Sequence, residues 1–396
     1  MESEQRVARG YVLDGGAQPD TERDTERLTG SSARPVTVPG QDPGPAPVRT
    51  AVLEAVAGWV PGEPVGNDAL PAAWGVDDAW VRARTGIVSR HRAGVGLATG
   101  DVAFEAARRL VDDGGSTAAG PVDALVLATA TPDHPCPGTA PALAARLGLG
   151  TVPAFDIGAA CSGFVYGLAV CRGLVAAGLH ERVLLVGADV YSAWLDPADR
   201  SAGVVFGDGA GAAVVGAGRA GTPGELLAFD LGSDGTGYDL ITVPGGGARS
   251  RSMPGQATEG DEFFRMQGPA VYQHAVERMT GSCRALLAKV GWDAADVDHF
   301  VPHQANARIL RAVSARVGID PRRCVTHLER VGNTGAASIP LALADAASEG
   351  RFRAGDKMLI TAFGGGLTWG SAALRWPGTR TNDARCATEG TEHDAG

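Results

Sequence analysis

Three polar side chains stand at the ends of apolar stretches, where a folded chain can aim them into a shared space. Cys161 lies in Phe155-Asp-Ile-Gly-Ala-Ala-Cys161-Ser-Gly-Phe164, where an apolar run predicted as a strand stops and a long helix begins. A thiol in the first turn of a buried helix sits in the positive end of the helix dipole, which favours thiolate and makes a nucleophile. Taken alone, a buried cysteine is more often small apolar filler. Two distant segments alter that balance: Val301-Pro-His303-Gln-Ala-Asn306 and Gly332-Asn333-Thr-Gly335. By itself His303 reads as a satisfied strand-end group, and Asn333 as a turn residue beside glycines. Together, Cys161, His303 and Asn333 offer a nucleophile and two hydrogen-bonding partners, which is a catalytic set.

The elements that must position these residues are strands and crossover helices. Short Val, Leu and Ile runs alternate with Ala-rich helical segments, the pattern of a layered α/β fold. An internal echo pairs Val122-Asp-Ala-Leu-Val-Leu-Ala-Thr129 and the helix Pro141 to Gly148 with Val297-Asp-His-Phe-Val-Pro302 and the helix Ile309 to Gly318. A second echo pairs Arg182-Val-Leu-Leu-Val-Gly-Ala188 with Lys357-Met-Leu-Ile-Thr-Ala362. The chain therefore reads as duplicated. Residues 1–48 and 378–396 are rich in Gly, Pro, Ser and charge and poor in large apolar side chains, and are predicted to be flexible extensions.

With 396 residues, 44% of them hydrophobic, the chain can bury a sizeable core. A formal net charge of -10 argues against nucleic acid as a general partner and gives no reason to invoke a membrane surface. The six cysteines, Cys136, Cys161, Cys171, Cys283, Cys324 and Cys386, follow no paired metal spacing and no secretory signal, so a cytoplasmic setting is expected. The apolar helix after Cys161 carries Arg172, which argues against a membrane span. Gly207-Asp-Gly-Ala-Gly211 lacks the lysine of a phosphate-binding loop and the spacing of a dinucleotide fingerprint, so it is expected to be structural.

The segments around Cys161, His303 and Asn333, with Phe206-Gly-Asp-Gly-Ala-Gly211 and Ala362-Phe-Gly-Gly-Gly-Leu-Thr-Trp-Gly370, resemble β-ketoacyl-acyl-carrier-protein synthase III from about Arg49 to Trp376. The resemblance implies a thiolase fold, an α/β duplicated five-layer α-β-α-β-α arrangement with halves at 49–225 and 226–377, usually as a homodimer. It implies condensation of an acyl-CoA starter with malonyl-acyl carrier protein, releasing carbon dioxide and CoA. CoA enters as a substrate thioester, with no metal or other cofactor. Cys161 would hold the acyl group covalently, and His303 and Asn333 would donate hydrogen bonds to the malonyl thioester oxygen. The backbone N–H groups of Cys161 and Gly365 would form the oxyanion hole.

By the same resemblance Trp80, Arg84 and Arg200 meet the CoA nucleotide, with adenine held between Trp80 and Arg200, while Asn306 and Arg308 stand at the pantetheine entrance. Arg308 and Arg311, about one helical turn apart, with Arg316, are read either as the basic patch that an acidic carrier protein requires or as an ordinary solvated face, and Gln273 stands where the family commonly has a lysine. Cys136, contributed across the dimer, stands where the family has a bulky aromatic at the acyl pocket; the smaller side chain would admit a longer, branched or cyclic acyl group unless Met266 and Tyr272 refill the volume. Alternatives are an acyltransferase that passes the acyl group to an alcohol or amine without decarboxylation, a chalcone-synthase-like enzyme, and a non-catalytic scaffold of the same fold.

Overall fold

The computed structural model describes residues 49–112, 115–252, 255 and 258–378. The predicted extension over 1–48, and the predicted tail beyond Gly378, lie outside the described residues. Strands β1 (Arg49–Trp59), β2 (Ala124–Ala128), β3 (Ala154–Ile157), β4 (Arg182–Asp189) and β5 (Gly209–Arg219) form one sheet in the order β1-β5-β4-β2-β3. Strands β6 (Leu226–Ser233), β7 (His299–Pro302), β8 (Lys357–Gly364) and β9 (Thr368–Arg375) form a second in the order β6-β9-β8-β7. In the first sheet β2 runs parallel to β3 and β4, while β4 and β1 are antiparallel to β5. The second repeats that path: β7 parallel to β8, then β8 and β6 antiparallel to β9. The segments that echo in sequence thus occupy equivalent places, β2 with β7 and β4 with β8.

Helices α1 (Asp78–Thr85), α2 (Thr99–Ala107), α3 (Ala140–Arg146), α4 (Gly163–Ala176), α5 (Gly268–Val290), α6 (Ala307–Val317) and α7 (Ser338–Ser348) complete the layers. Strand alternation decides which layer each side chain joins. Val126 of β2 and Leu185 of β4 point to the inner cluster with Phe164 and Leu168 of α4 and Ile339 and Leu343 of α7. Their neighbours Leu125, Leu127 and Leu184 point the other way, on to α2 and α3. From the second sheet Ile360 faces the same inner cluster, and Leu359 faces α5 and α6. The result is α2/α3, sheet, α4/α7, sheet, α5/α6.

Because α4 is covered on both sides, it is apolar nearly all round, as buried helices are. Its small residues set the approach: a Cβ on Gly167 would collide with Leu185 Cδ1. Arg172 is accommodated by donating from Nε to the Leu226 carbonyl at 2.9 Å. Helix α6 is the contrasting case, with Ile309, Leu310, Val313 and Val317 buried and Arg308, Arg311 and Arg316 exposed.

Candidate active site

Strand β3 ends at Ile157, and one tight turn, Ala160–Ser162, joins it to α4. Ala160 adopts φ +44°, a left-handed conformation that costs a residue bearing Cβ and that sharpens the bend carrying Cys161. Cys161 keeps partial exposure to a cavity of about 580 Å³. Its sulfur lies 3.9 Å from the Tyr191 hydroxyl. Burial, with the Asp189 carboxylate nearby, pushes the thiol up to about 12. The hydrogen bonds from Tyr191 and from the Cys161 backbone act in the opposite direction.

Asp189 ends β4 and is fully buried. It accepts from the Ala130 and Ala336 N–H groups, each at 2.7 Å, and from the hydroxyls of Thr129 and Thr131. Desolvation lifts its carboxyl to about 6, against those four donors. The bond from Ala336 ties β4 to the turn that enters α7.

His303 follows β7, its N–H held by the Thr361 carbonyl at 2.7 Å. Its Nδ1 lies 2.6 Å from Ser338 Oγ, which also accepts from the Gln304 N–H at 3.3 Å. The Ser338 hydroxyl can donate to Nδ1 or accept from it, according to the ring tautomer; where it donates, the ring proton lies on Nε2, facing the cavity. Burial lowers the imidazole to about 3, so the ring is neutral. Asn333 arrives from the same half by another route. Gly332 takes φ +73°, and the chain is then zipped to the first half: the Asn333 N–H donates to Val205, and the Gly207 N–H donates to Asn333, both at 2.9 Å. Asn333 Oδ1 accepts from the Gly335 N–H at 3.0 Å, which leaves the amide Nδ2 without a protein acceptor among the described residues.

The cavity brings Cys161, His303, Asn333 and Gly365 together. The end of β8 presses on the nucleophile turn, since a Cβ on Gly364 would stand 2.7 Å from the Cys161 backbone nitrogen. Beyond the sulfur the wall is apolar: Tyr191, Phe206 and Phe264 form an aromatic cluster with ring centroids 4.5, 5.6 and 4.9 Å apart, joined by Ile241 and Met266. At the other end Tyr272, Gln273, Asn306 and Arg308 line the way out.

Residues 155–235 match the 3-oxoacyl-[acyl-carrier-protein (ACP)] synthase III family, and residues 287–376 match its C-terminal part. The β-ketoacyl-[acyl-carrier-protein] synthase III 5 of Streptomyces coelicolor is 52% identical over 326 residues, which span 82% of this chain and 97% of that protein. The chain belongs to the 3-oxoacyl-[acyl-carrier-protein] synthase III family. The crystal structure of synthase III from Pseudomonas aeruginosa PAO1 matches with a TM-score of 0.76 and 48% identity, covering 84% of this chain and 99% of that one. The priming β-ketosynthase from the R1128 polyketide biosynthetic pathway gives 0.76 and 30%, covering 85% and 100%. The thiolase-type layering described above is the fold of these synthase III structures.

Seen as a synthase III site, the entrance holds surprises. Arg84 stacks on Trp80 at 4.2 Å, and Arg200 stands 5.6 Å from the same ring, so the expected adenine slot is occupied by the contact between its walls. The Asn306 amide is engaged at both ends: Oδ1 caps α6 by accepting from the Arg308 N–H at 2.8 Å, and Nδ2 donates to the Arg84 carbonyl at 3.1 Å. It therefore fastens α1 to α6 as well as lining the exit. Arg308 lies over Tyr272 at 5.6 Å. Arg308, Arg311 and Arg316 have no carboxylate partner among the described residues.

Met266 and Tyr272 line the cavity, whereas Cys136 is exposed on a loop outside its own chain's cavity. Neighbours of Cys136 on that loop, Pro132, Asp133 and Pro135, border a second hollow of about 700 Å³ that shares Tyr191, Phe264 and Gly365 with the first. Sequence reasoning missed Tyr191, Phe264 and Ser338. Ser338 alone left a signal, five residues after Asn333 at the start of a helix.

Proposed function

We propose that this chain condenses an acyl-CoA starter with malonyl-acyl carrier protein, opening fatty-acid or polyketide assembly. One observation carries the reading: a family member keeps a thiol, a neutral imidazole and a free amide Nδ2 on one cavity. In the first step a bond forms from Cys161 sulfur to the starter's carbonyl carbon, the bond to CoA breaks, and the thiol proton ends on the CoA sulfur. The backbone N–H groups of Cys161 and Gly365 receive the oxyanion. Malonyl thioester then places its oxygen against His303 Nε2 and Asn333 Nδ2. As carboxylate leaves as carbon dioxide, the enolate charge falls on these donors, and its carbon attacks the acyl-cysteine. A carbon–carbon bond forms, and the sulfur departs to take up a proton.

Neutral His303 suits this role, because a donor that does not titrate near neutrality holds its proton throughout the cycle. Trp80, Arg84, Arg200 and Arg308 would grip CoA, with Arg200 swinging off Trp80 to admit adenine. Arg308, Arg311 and Arg316 would dock the acidic carrier protein. We take the enzyme as a homodimer in which the partner's Cys136 closes the open side of the acyl end. It would need no cofactor and work in the cytoplasm, where unpaired thiols persist. No helix among the described residues is long and apolar enough to cross a membrane.

Incubation with labelled acyl-CoA tests the proposal. The intact protein gains one acyl mass, Cys161→Ala gains none, and malonyl-acyl carrier protein then releases carbon dioxide from the loaded enzyme. Acyl loading followed by transfer to an alcohol or amine without carbon dioxide would replace condensation by simple acyl transfer. No covalent label at all would leave only a scaffold.

A further inference from the structure

The Tyr191 hydroxyl leans on the nucleophile itself. Tyr191 is 3% exposed, and among the described residues its hydroxyl's sole hydrogen-bond partner is the Cys161 sulfur. The nearby Asp189 carboxylate already takes four donors. The ring cannot turn away: Phe206 and Phe264 hold it, and its Cε2 lies 2.6 Å from where a Cβ on Gly335 would stand. Loading the enzyme removes the thiol and leaves a thioester sulfur, whose electrons are drawn toward the carbonyl and which is a weak acceptor. Among the protein groups described, the hydroxyl then keeps only that weak acceptor, unless the acyl group supplies a better one.

Resting on the condensing reading above, we propose that Tyr191 selects starters carrying an oxygen on the second or third acyl carbon. The carbonyl oxygen is committed to the Cys161 and Gly365 N–H groups, so it is not the partner. An oxygen on the second carbon is three bonds from the sulfur and one on the third is four, so either can come within hydrogen-bond reach of a hydroxyl that stands 3.9 Å from the sulfur. Phe206, Phe264, Ile241 and Met266 wall this end of the cavity, and the Tyr191 hydroxyl is a polar contact among them. The strongly suppressed ionisation of the phenol, which burial dominates, keeps the proton available for donation. A hydrocarbon starter of the same shape fits but leaves the hydroxyl with only the weak sulfur acceptor.

The test compares near-isosteric pairs on the full chain: 2-hydroxypropionyl-CoA against isobutyryl-CoA, and 3-hydroxybutyryl-CoA against isovaleryl-CoA. Acylation rates are read from the intact mass. Wild type prefers the oxygenated member of at least one pair by about tenfold, the fold-change expected when a buried hydroxyl keeps its partner. Tyr191→Phe, which preserves the ring packing, reverses that preference. Equal or opposite selectivity in wild type overturns the proposal, and so does a Tyr191→Phe variant that slows every starter alike, which would put the hydroxyl on the carbonyl oxygen. Because the wild-type ratio is measured first, a misfolded variant does not rescue the idea. Failure of all acylation would instead refute the condensing reading.

Discussion

A hydrogen-bond donor serves an enolate only if nothing in the protein takes its proton first, and Asn333 and His303 meet that condition by different means. Asn333 spends its oxygen on the Gly335 N–H, which fixes the amide with nitrogen outward. His303 is held by Ser338, and the tautomer in which that hydroxyl donates to Nδ1 puts the ring proton on Nε2. Asn333→Ala is expected to slow carbon dioxide release by roughly 10²–10³-fold, the usual consequence of losing one such donor. Loading of Cys161, followed by intact mass, should stay near wild type. A matching fall in loading would show that Asn333 holds the site together instead. Ser338→Ala frees the imidazole to place its proton on either nitrogen, and decarboxylation is expected to fall about tenfold with loading again retained. Steady-state assays of both half-reactions check each outcome.

At the scale of elements, the approach of α1 to α6 sets where the entrance arginines stand. Gly86 takes φ +79°, and a Cβ there would come within 2.5 Å of the Ala307 Cβ. Gly86→Ala is therefore expected to part the two helices, break the Asn306 bond to Arg84, and raise KM for acyl-CoA about five- to tenfold with little change in kcat. A kcat loss as large as the KM change would show that the shift reaches the cavity. The sequence made some of this readable and hid the rest for physical reasons. The runs at Cys161, His303 and Asn333 are contiguous and end apolar stretches, so they announce themselves. The equivalence of β2 with β7 and β4 with β8 survives as paired Val/Leu runs. The wall of Tyr191, Phe206 and Phe264 comes from three segments with no common period, so only folding assembles it. The double use of the Asn306 amide depends on α1 being near, which no local pattern states.

Across the whole molecule, buried titrating groups with opposite tendencies shape stability. Burial lowers both His303 and His327 to about 3 from an ordinary value of 6.5. As pH falls from 6.5 toward 3, the unfolded chain takes up these two protons and the folded chain resists, so stability drops. Asp189 works the other way. Its folded value of about 6, raised from 3.8, gives stability that is full below 3.8 and lost as pH rises through 6. Two histidines outweigh one carboxyl, so these three groups should make the midpoint of urea unfolding decline from pH 7 to pH 4. His327→Gln should flatten that decline. A midpoint that is level over this range would mean that other groups compensate.

The seam at Val205–Gly207 has a consequence for the chain as an indivisible object. The sulfur is supplied by residues ahead of Leu226, while the imidazole and the carboxamide come from residues behind it, and the strand-like pairing of Phe206 with Asn333 fastens the two supplies. Cutting the polypeptide at residue 225 would yield one fragment with a nucleophile and nothing to steady an enolate, and another with the reverse defect. Turnover would return only when the fragments are mixed and that short join re-forms.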